Sequence, residues 1–170
     1  VGTHPRSLLL DVVTEHLTQG PVQDVGRGVV PADGSAAFDV DRCRRRLAGL
    51  DGALDGLLVA DFSRVLAGPY ATMLLGDLGA EVVKVARPGA GDDTRHWGPP
   101  YAADGTATYF ASVNRNKRSL WLDLSAPDGL AEARALAVRA DVMVENFKPG
   151  TLARMGLGYD EISRENPRLV

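Results

Sequence analysis

Cysteine is almost absent from this chain: among 170 residues only Cys43 is one. An internal disulfide is therefore excluded, and so is a multi-cysteine metal site. Lysine is scarce as well. The 19 basic residues are Lys84, Lys117, Lys148 and arginines, set against 22 acidic residues for a net charge of −3. That balance gives no reason to expect nucleic-acid binding. No apolar run approaches the roughly 18 residues that a membrane span requires. Near the N-terminus, Asp11 and Glu15 interrupt the apolar stretch that a secretory leader would need. A cytoplasmic location without membrane contact is the expectation. Also missing are G-x-G-x-x-G, H-E-x-x-H, a Ser/His/Asp pattern and an acidic metal cluster, so nothing points to a metal or a permanently bound cofactor.

What is present suits a globular chain of one domain or slightly more, with 45% hydrophobic residues. Residues 1–53 read as an N-terminal extension or the tail of a preceding module. Ser7 is placed to cap a short helix carrying Leu9, Val13 and Leu17, and Gly20 to Ala37 has the composition of a linker. Over Asp41 to Leu50 an apolar stripe of Val40, Cys43, Leu47 and Leu50 is surrounded by Arg42, Arg44, Arg45 and Arg46, which read as a solvated helix face.

From Leu54 the pattern becomes regular. It predicts strands at 57–62, 81–86, 119–124 and 141–145, with helices at 69–78, near 108–113 and at 127–139. One or two helical turns follow within 151–165, and Leu169 and Val170 read as the opening of a further strand. Alternating strands and helices imply a parallel sheet with helices on both faces, an open Rossmann-like α/β fold. In the first βαβ unit, Pro69 suits the first turn of a helix and Gly79 its C-terminal stop. The N-terminus of that helix would offer free N–H groups and partial positive charge to an anionic ligand.

Several residues then have two readings each. The loop Ser63 to Pro69 either holds a ligand or only joins strand to helix. Arg87 closes the second strand about 20 residues after the glycine loop, where an arginine accommodates a ribose phosphate. Otherwise it is a surface residue paired with Asp92 or Asp93. Asn146 follows the fourth strand, at the sheet edge where α/β ligands bind, and either donates to a ligand or caps the next turn. Phe147 is core or ligand contact. Asn114, Asn116, Lys117 and Arg118 read as a solvated turn, and His96 as a bystander.

The wording of the chain goes further than its periodicity. DFSRVLAGPYATMLLGDLGAEVVKV resembles the opening of the family III CoA-transferases, the CaiB/BaiF group that includes formyl-CoA transferase and carnitine CoA-transferase. Four more blocks match in order: GAGDDTRHWGPP, TYFASVNRNKRSLWLDL, ADVMVENFKPGTLARMGLGYDEI and NPRLV. The resemblance covers about Leu54 to Val170 and departs from the family at Ala86, where an acidic residue is usual. It implies that 54–170 is the N-terminal, CoA-binding part of a transferase large domain. Backbone groups at Leu66 and Ala67 would hold CoA, and Arg64 would lie near the active site. Arg87 would meet the adenosine end, and Asn146, Phe147 and Arg154 would line the CoA channel. Coenzyme A and acyl-CoA would be substrates rather than bound cofactors. The reaction would move CoA from an acyl-CoA to a carboxylic acid through an aspartyl-CoA intermediate. The nucleophilic aspartate would lie C-terminal to Val170, so this stretch is expected to be an N-terminal fragment without a catalytic residue of its own. Family membership also implies an interlocked homodimer. Two alternatives stay open: an α-methylacyl-CoA racemase of the same superfamily, and an NADP-binding Rossmann domain.

Overall fold

A computed structural model of the chain describes residues 52–170. The expectations for the N-terminal extension, its linker, its arginine stripe and Cys43 lie outside the described residues. Within them, β1 (Leu58–Asp61), α1 (Ala67–Asp77) and β2 (Glu81–Ala86) come first, followed by a 3₁₀ turn at Asp93–His96. Then come α2 (Thr108–Asn114), β3 (Lys117–Trp121), α3 (Pro127–Arg139), β4 (Val142–Val144), α4 (Thr151–Arg154) and α5 (Tyr159–Ile162). The four strands form one open sheet in the order β3-β2-β1-β4, and every pairing is parallel. Beyond β4, Val170 N–H donates to the Asp141 carbonyl and the Val170 carbonyl accepts from Met143 N–H. This is the start of a parallel ladder on the outer side of β4, as the apolar Leu169–Val170 pair suggests.

Side chains alternate across the sheet. One face is apolar: Ala60, Val83 and Leu120 pack with Ala133, Leu136 and Ala137 of α3, and with Leu152, Leu157 and Ile162. The other face carries Val59 and Val82 packed with Leu75 of α1. Helices therefore cover both faces. On this second face the register Val59↔Val82, Asp61↔Lys84 and Lys84↔Ser119 turns the surface from apolar to polar towards the C-terminal edge.

The start and stop of α1 have separate causes. At its C-terminus Ala80 N–H donates to the Leu75 carbonyl and Gly79 N–H to the Gly76 carbonyl, with Gly79 at φ +107°. That double bond over a glycine is a Schellman stop. At its N-terminus no side chain caps the helix. Gly68 is required there, because a β-carbon would overlap Ser63 Cβ and Oγ. The helix thus closes tightly on the end of β1. Among the described residues no helix is long and apolar enough to cross a membrane.

β3 begins two residues before the expected 119–124. Lys117 and Ser119 are buried, and the reading of the Asn114–Arg118 segment as a solvated turn is corrected accordingly. Arg115 and Asn116 are exposed, but Asn114 and Lys117 point inward.

Candidate functional site

The polar end of the second face forms a closed network beneath the β1–α1 loop. Lys117 Nζ lies 3.0 Å from Asp61 Oδ2 and donates to the Pro69 carbonyl at 2.7 Å and to Asn114 Oδ1 at 3.0 Å. Thr72 Oγ1 donates to Asp61 Oδ2 at 2.7 Å. Lys84 Nζ lies 3.0 Å from Asp92 Oδ2 and donates to the Ser63 carbonyl at 2.8 Å. Both ion pairs are excluded from water, each side chain being at most 2% exposed. Charges so buried persist only when paired and hydrogen-bonded. Burial pushes the Asp92 carboxyl up, but attraction to Lys84 and hydrogen bonds from Thr94 outweigh it and hold it below its ordinary value. For Lys117 desolvation wins over the attraction of Asp61, repulsion from Lys84 adds to it, and the ammonium pKa falls to about 8.

The network grips the loop from several sides. Ser63 N–H donates to Asp61 Oδ1 at 3.0 Å, and the Ser63 hydroxyl reaches the same oxygen. The Ser63 carbonyl takes Lys84. Asn146 spans the next peptide, accepting from Arg64 N–H at 2.9 Å and donating to the Arg64 carbonyl at 2.7 Å. Val65 N–H then donates to Asp92 Oδ2 over a longer 3.3 Å. Five successive backbone groups are held by side chains from β1, β2, the loop after β4 and the residue before the 3₁₀ turn. Val65 itself sits at φ +70°, a left-handed conformation that is an outlier for a β-branched residue. Such strain survives only where the surroundings over-determine it, and it concentrates at ligand clamps.

The sequence-derived site residues fall on this framework as follows. Arg64 is half-buried and its guanidinium lies 5.0 Å from the centre of the Phe147 ring, so Arg64, Asn146 and Phe147 form one cluster. Leu66 and Ala67 are exposed at the start of α1, where the first helical N–H groups have no intrahelical partner. Arg87 is exposed one residue past the end of β2, the strand adjacent to β1, and therefore stands on the same sheet edge. It does not neutralise Asp92, whose carboxylate is taken by Lys84. Its field falls instead on Asp123, whose carboxyl is lowered chiefly by hydrogen bonds from Ser125 and last by Arg87. Arg154 is exposed on α4 and donates to Thr151 Oγ1 at 3.3 Å, over Gly150. Asn146 neither caps a turn nor stands free: its amide is engaged by the Arg64 backbone. Trp97, beside the exposed His96, tilts against Tyr109 at 5.5 Å.

Sequence reasoning passed over Lys84 and Asp61, read Lys117 into a solvated turn, and saw Asp92 only as a partner for Arg87. A signal was available for Lys84 and Asp61. Lys84 interrupts the valine run of β2, and Asp61 closes the apolar run of β1. A charge inside a strand buried on both faces needs a partner. A surface hollow of about 530 Å³ lies between α3 and the α4–α5 segment and includes none of these residues.

An open parallel α/β sheet, with a clamped loop and an uncapped helix N-terminus at its C-terminal edge, places the chain in the class of open, Rossmann-like α/β proteins. The sequence profile described as CoA-transferase family III matches residues 54–170, and the chain belongs to this family. It is 55% identical over 117 residues to the mouse (Mus musculus) succinyl-CoA:glutarate CoA-transferase, covering 69% of this chain and 27% of that protein. Over 122 residues it is 48% identical to a succinate–glutarate CoA-transferase of Agrobacterium fabrum, covering 69% and 30%. Among solved structures it is similar to a CAIB/BAIF family protein from Brucella suis, with a TM-score of 0.68 and 46% identity, covering 71% and 32%. The chain thus spans about a quarter to a third of the length of these proteins.

Proposed function

We propose that residues 54–170 supply the coenzyme A-binding part of a CoA-transferase, an enzyme that moves CoA from an acyl-CoA donor to a carboxylic acid acceptor. The observation that carries this reading is the β1–α1 loop, locked from several sides and ending at an uncapped helix N-terminus. An uncapped N-terminus of an eleven-residue helix favours an anion, and CoA carries a diphosphate and a 3′-phosphate. Backbone groups at Leu66 and Ala67 would meet the ligand there. Arg64 and Phe147 would form one wall, and Arg154 would extend it along the loop after β4. Arg87, on the neighbouring strand end, would take the 3′-phosphate of the adenosine ribose. A guanidinium matches a phosphate with paired, charge-assisted hydrogen bonds.

The chemistry proposed is covalent catalysis by a carboxylate. An aspartate attacks the thioester carbonyl and forms an acyl-aspartyl anhydride with release of CoA thiolate. The thiolate then attacks the aspartyl carbonyl, giving an aspartyl-CoA thioester and the free donor acid. The acceptor acid reverses the sequence. No aspartate of residues 54–170 is assigned this role, and the nucleophile belongs to sequence following Val170. CoA is therefore substrate, not resident cofactor. The protein is read as cytoplasmic, and the working enzyme as an interlocked homodimer. Relatives named for succinyl-CoA, glutarate and mesaconate support an organic acid acceptor, and their names favour transfer over racemisation.

The test is a titration of Arg87→Ala with CoA and with dephospho-CoA. One charge-assisted contact contributes roughly 1.5–3 kcal/mol, so the variant is expected to bind CoA about tenfold more weakly or somewhat worse. It should barely distinguish the two ligands. An equal loss of affinity for both would mean that Arg87 supports the fold, and the assignment would fail.

A further inference from the structure

The buried pair Lys84–Asp92 touches no solvent and has no place among the ligand-facing residues, yet it closes on the strained segment of the loop. Lys84 holds the Ser63 carbonyl at 2.8 Å, and Asp92 receives the Val65 N–H. The two are bound to each other at 3.0 Å. Asp92 is fixed in turn by Thr94, whose N–H and hydroxyl both donate to its other oxygen, at 3.1 and 2.8 Å. Residues 63 to 65 thus span a bracket anchored in β2 on one side and in the 3₁₀ segment on the other. Val65 has no conformational reason of its own to stay at φ +70°, since its branched side chain disfavours that region. Release of the bracket would let it relax, and the backbone of Leu66 and Ala67, one and two residues on, would turn with it.

We infer that Lys84 and Asp92 are positioning residues for coenzyme A: they keep Val65 left-handed and thereby fix the direction of the amide groups that open α1. The inference rests on the CoA-binding reading above. It gives the buried pair a binding role where a packed apolar pair would serve the fold equally well.

The test variant is Lys84→Met/Asp92→Leu in the 170-residue chain, which removes both charges together and leaves neither buried alone. Two readouts are taken: CoA affinity by calorimetry, and amide hydrogen exchange of peptides covering 63–70 against peptides from β2 and α3. The expected result is exchange accelerated in 63–70 and unchanged in α3, with CoA bound about tenfold more weakly. Adding Val65→Gly, which adopts positive φ without strain, should recover most of the lost affinity. Unchanged exchange at 63–70, or acceleration spread evenly over the sheet and α3, overturns the inference, because the pair would then serve only the fold. So does a failure of Val65→Gly to recover affinity. If wild type itself does not bind CoA, the binding reading fails. Exchange at 63–70 then still decides whether the pair clamps the loop.

Discussion

At the scale of single residues, the members of the two buried ion pairs have unequal needs. Asp92→Asn alone would leave the Lys84 ammonium buried without its countercharge, a change that costs about 3–5 kcal/mol. We expect a correspondingly lower urea midpoint, and a midpoint unchanged from wild type would show that the pair is not closed in solution. The pH dependence has a definite sign. The Asp92 carboxyl titrates below its ordinary 3.8 because Lys84 and Thr94 more than offset its burial. The stability it contributes is therefore complete above about pH 4 and is lost as pH falls through the lowered value. Lys117 runs the other way. Its folded pKa of about 8 lies below the ordinary 10.5, so between those values the unfolded chain binds more protons and stability rises with pH. Urea midpoints measured from pH 7 to 10.5 should climb in wild type relative to Lys117→Met. Parallel curves would contradict the buried ammonium.

At the scale of elements, α1 depends on a close contact with the end of β1. Its N-terminus carries no side-chain cap, and it is seated by Gly68 against Ser63. Gly68→Ala should force that contact apart, at a cost of about 1–3 kcal/mol, and should weaken CoA binding as well. A variant as stable and as tight-binding as wild type would show that the close approach does not matter. Most elements were legible in the sequence because their signals are local. The valines of β2 and the 3.6-residue spacing of α3 each specify an element without help from distant residues, and both elements have the expected bounds. β3 runs from Lys117 to Trp121 rather than over 119–124, because Lys117 read as part of a solvated turn, whereas register with Val82 puts it inside. The site divides in the same way. Arg87 and Asn146 could be picked out from their positions at strand ends. The engagement of the Asn146 amide by the Arg64 backbone could not, since it joins residues 82 apart. Nor could the Lys117–Asp61 pair, which joins residues 56 apart.

At the scale of the whole molecule, the sheet separates two tasks. Its α3 face is apolar at Ala60, Val83 and Leu120, with Glu81 and Arg118 paired on the same side, while its α1 face grades into a charged network beneath the β1–α1 loop. The network bears on both stability and loop geometry, which is why paired substitutions that leave no charge buried alone are informative. A polypeptide of these 170 residues is expected to bind CoA without exchanging acyl groups, because the proposed nucleophile is not among them. Turnover of an acyl-CoA by this polypeptide, free of any longer enzyme, would contradict that mechanism. The most direct measurement of the central claim is a calorimetric titration of this chain with CoA, dephospho-CoA and NADPH in turn. CoA is expected to bind, dephospho-CoA to bind about tenfold more weakly for want of the 3′-phosphate contact, and NADPH to give no saturable heat. NADPH binding as tightly as CoA, or no binding of CoA, would contradict that claim.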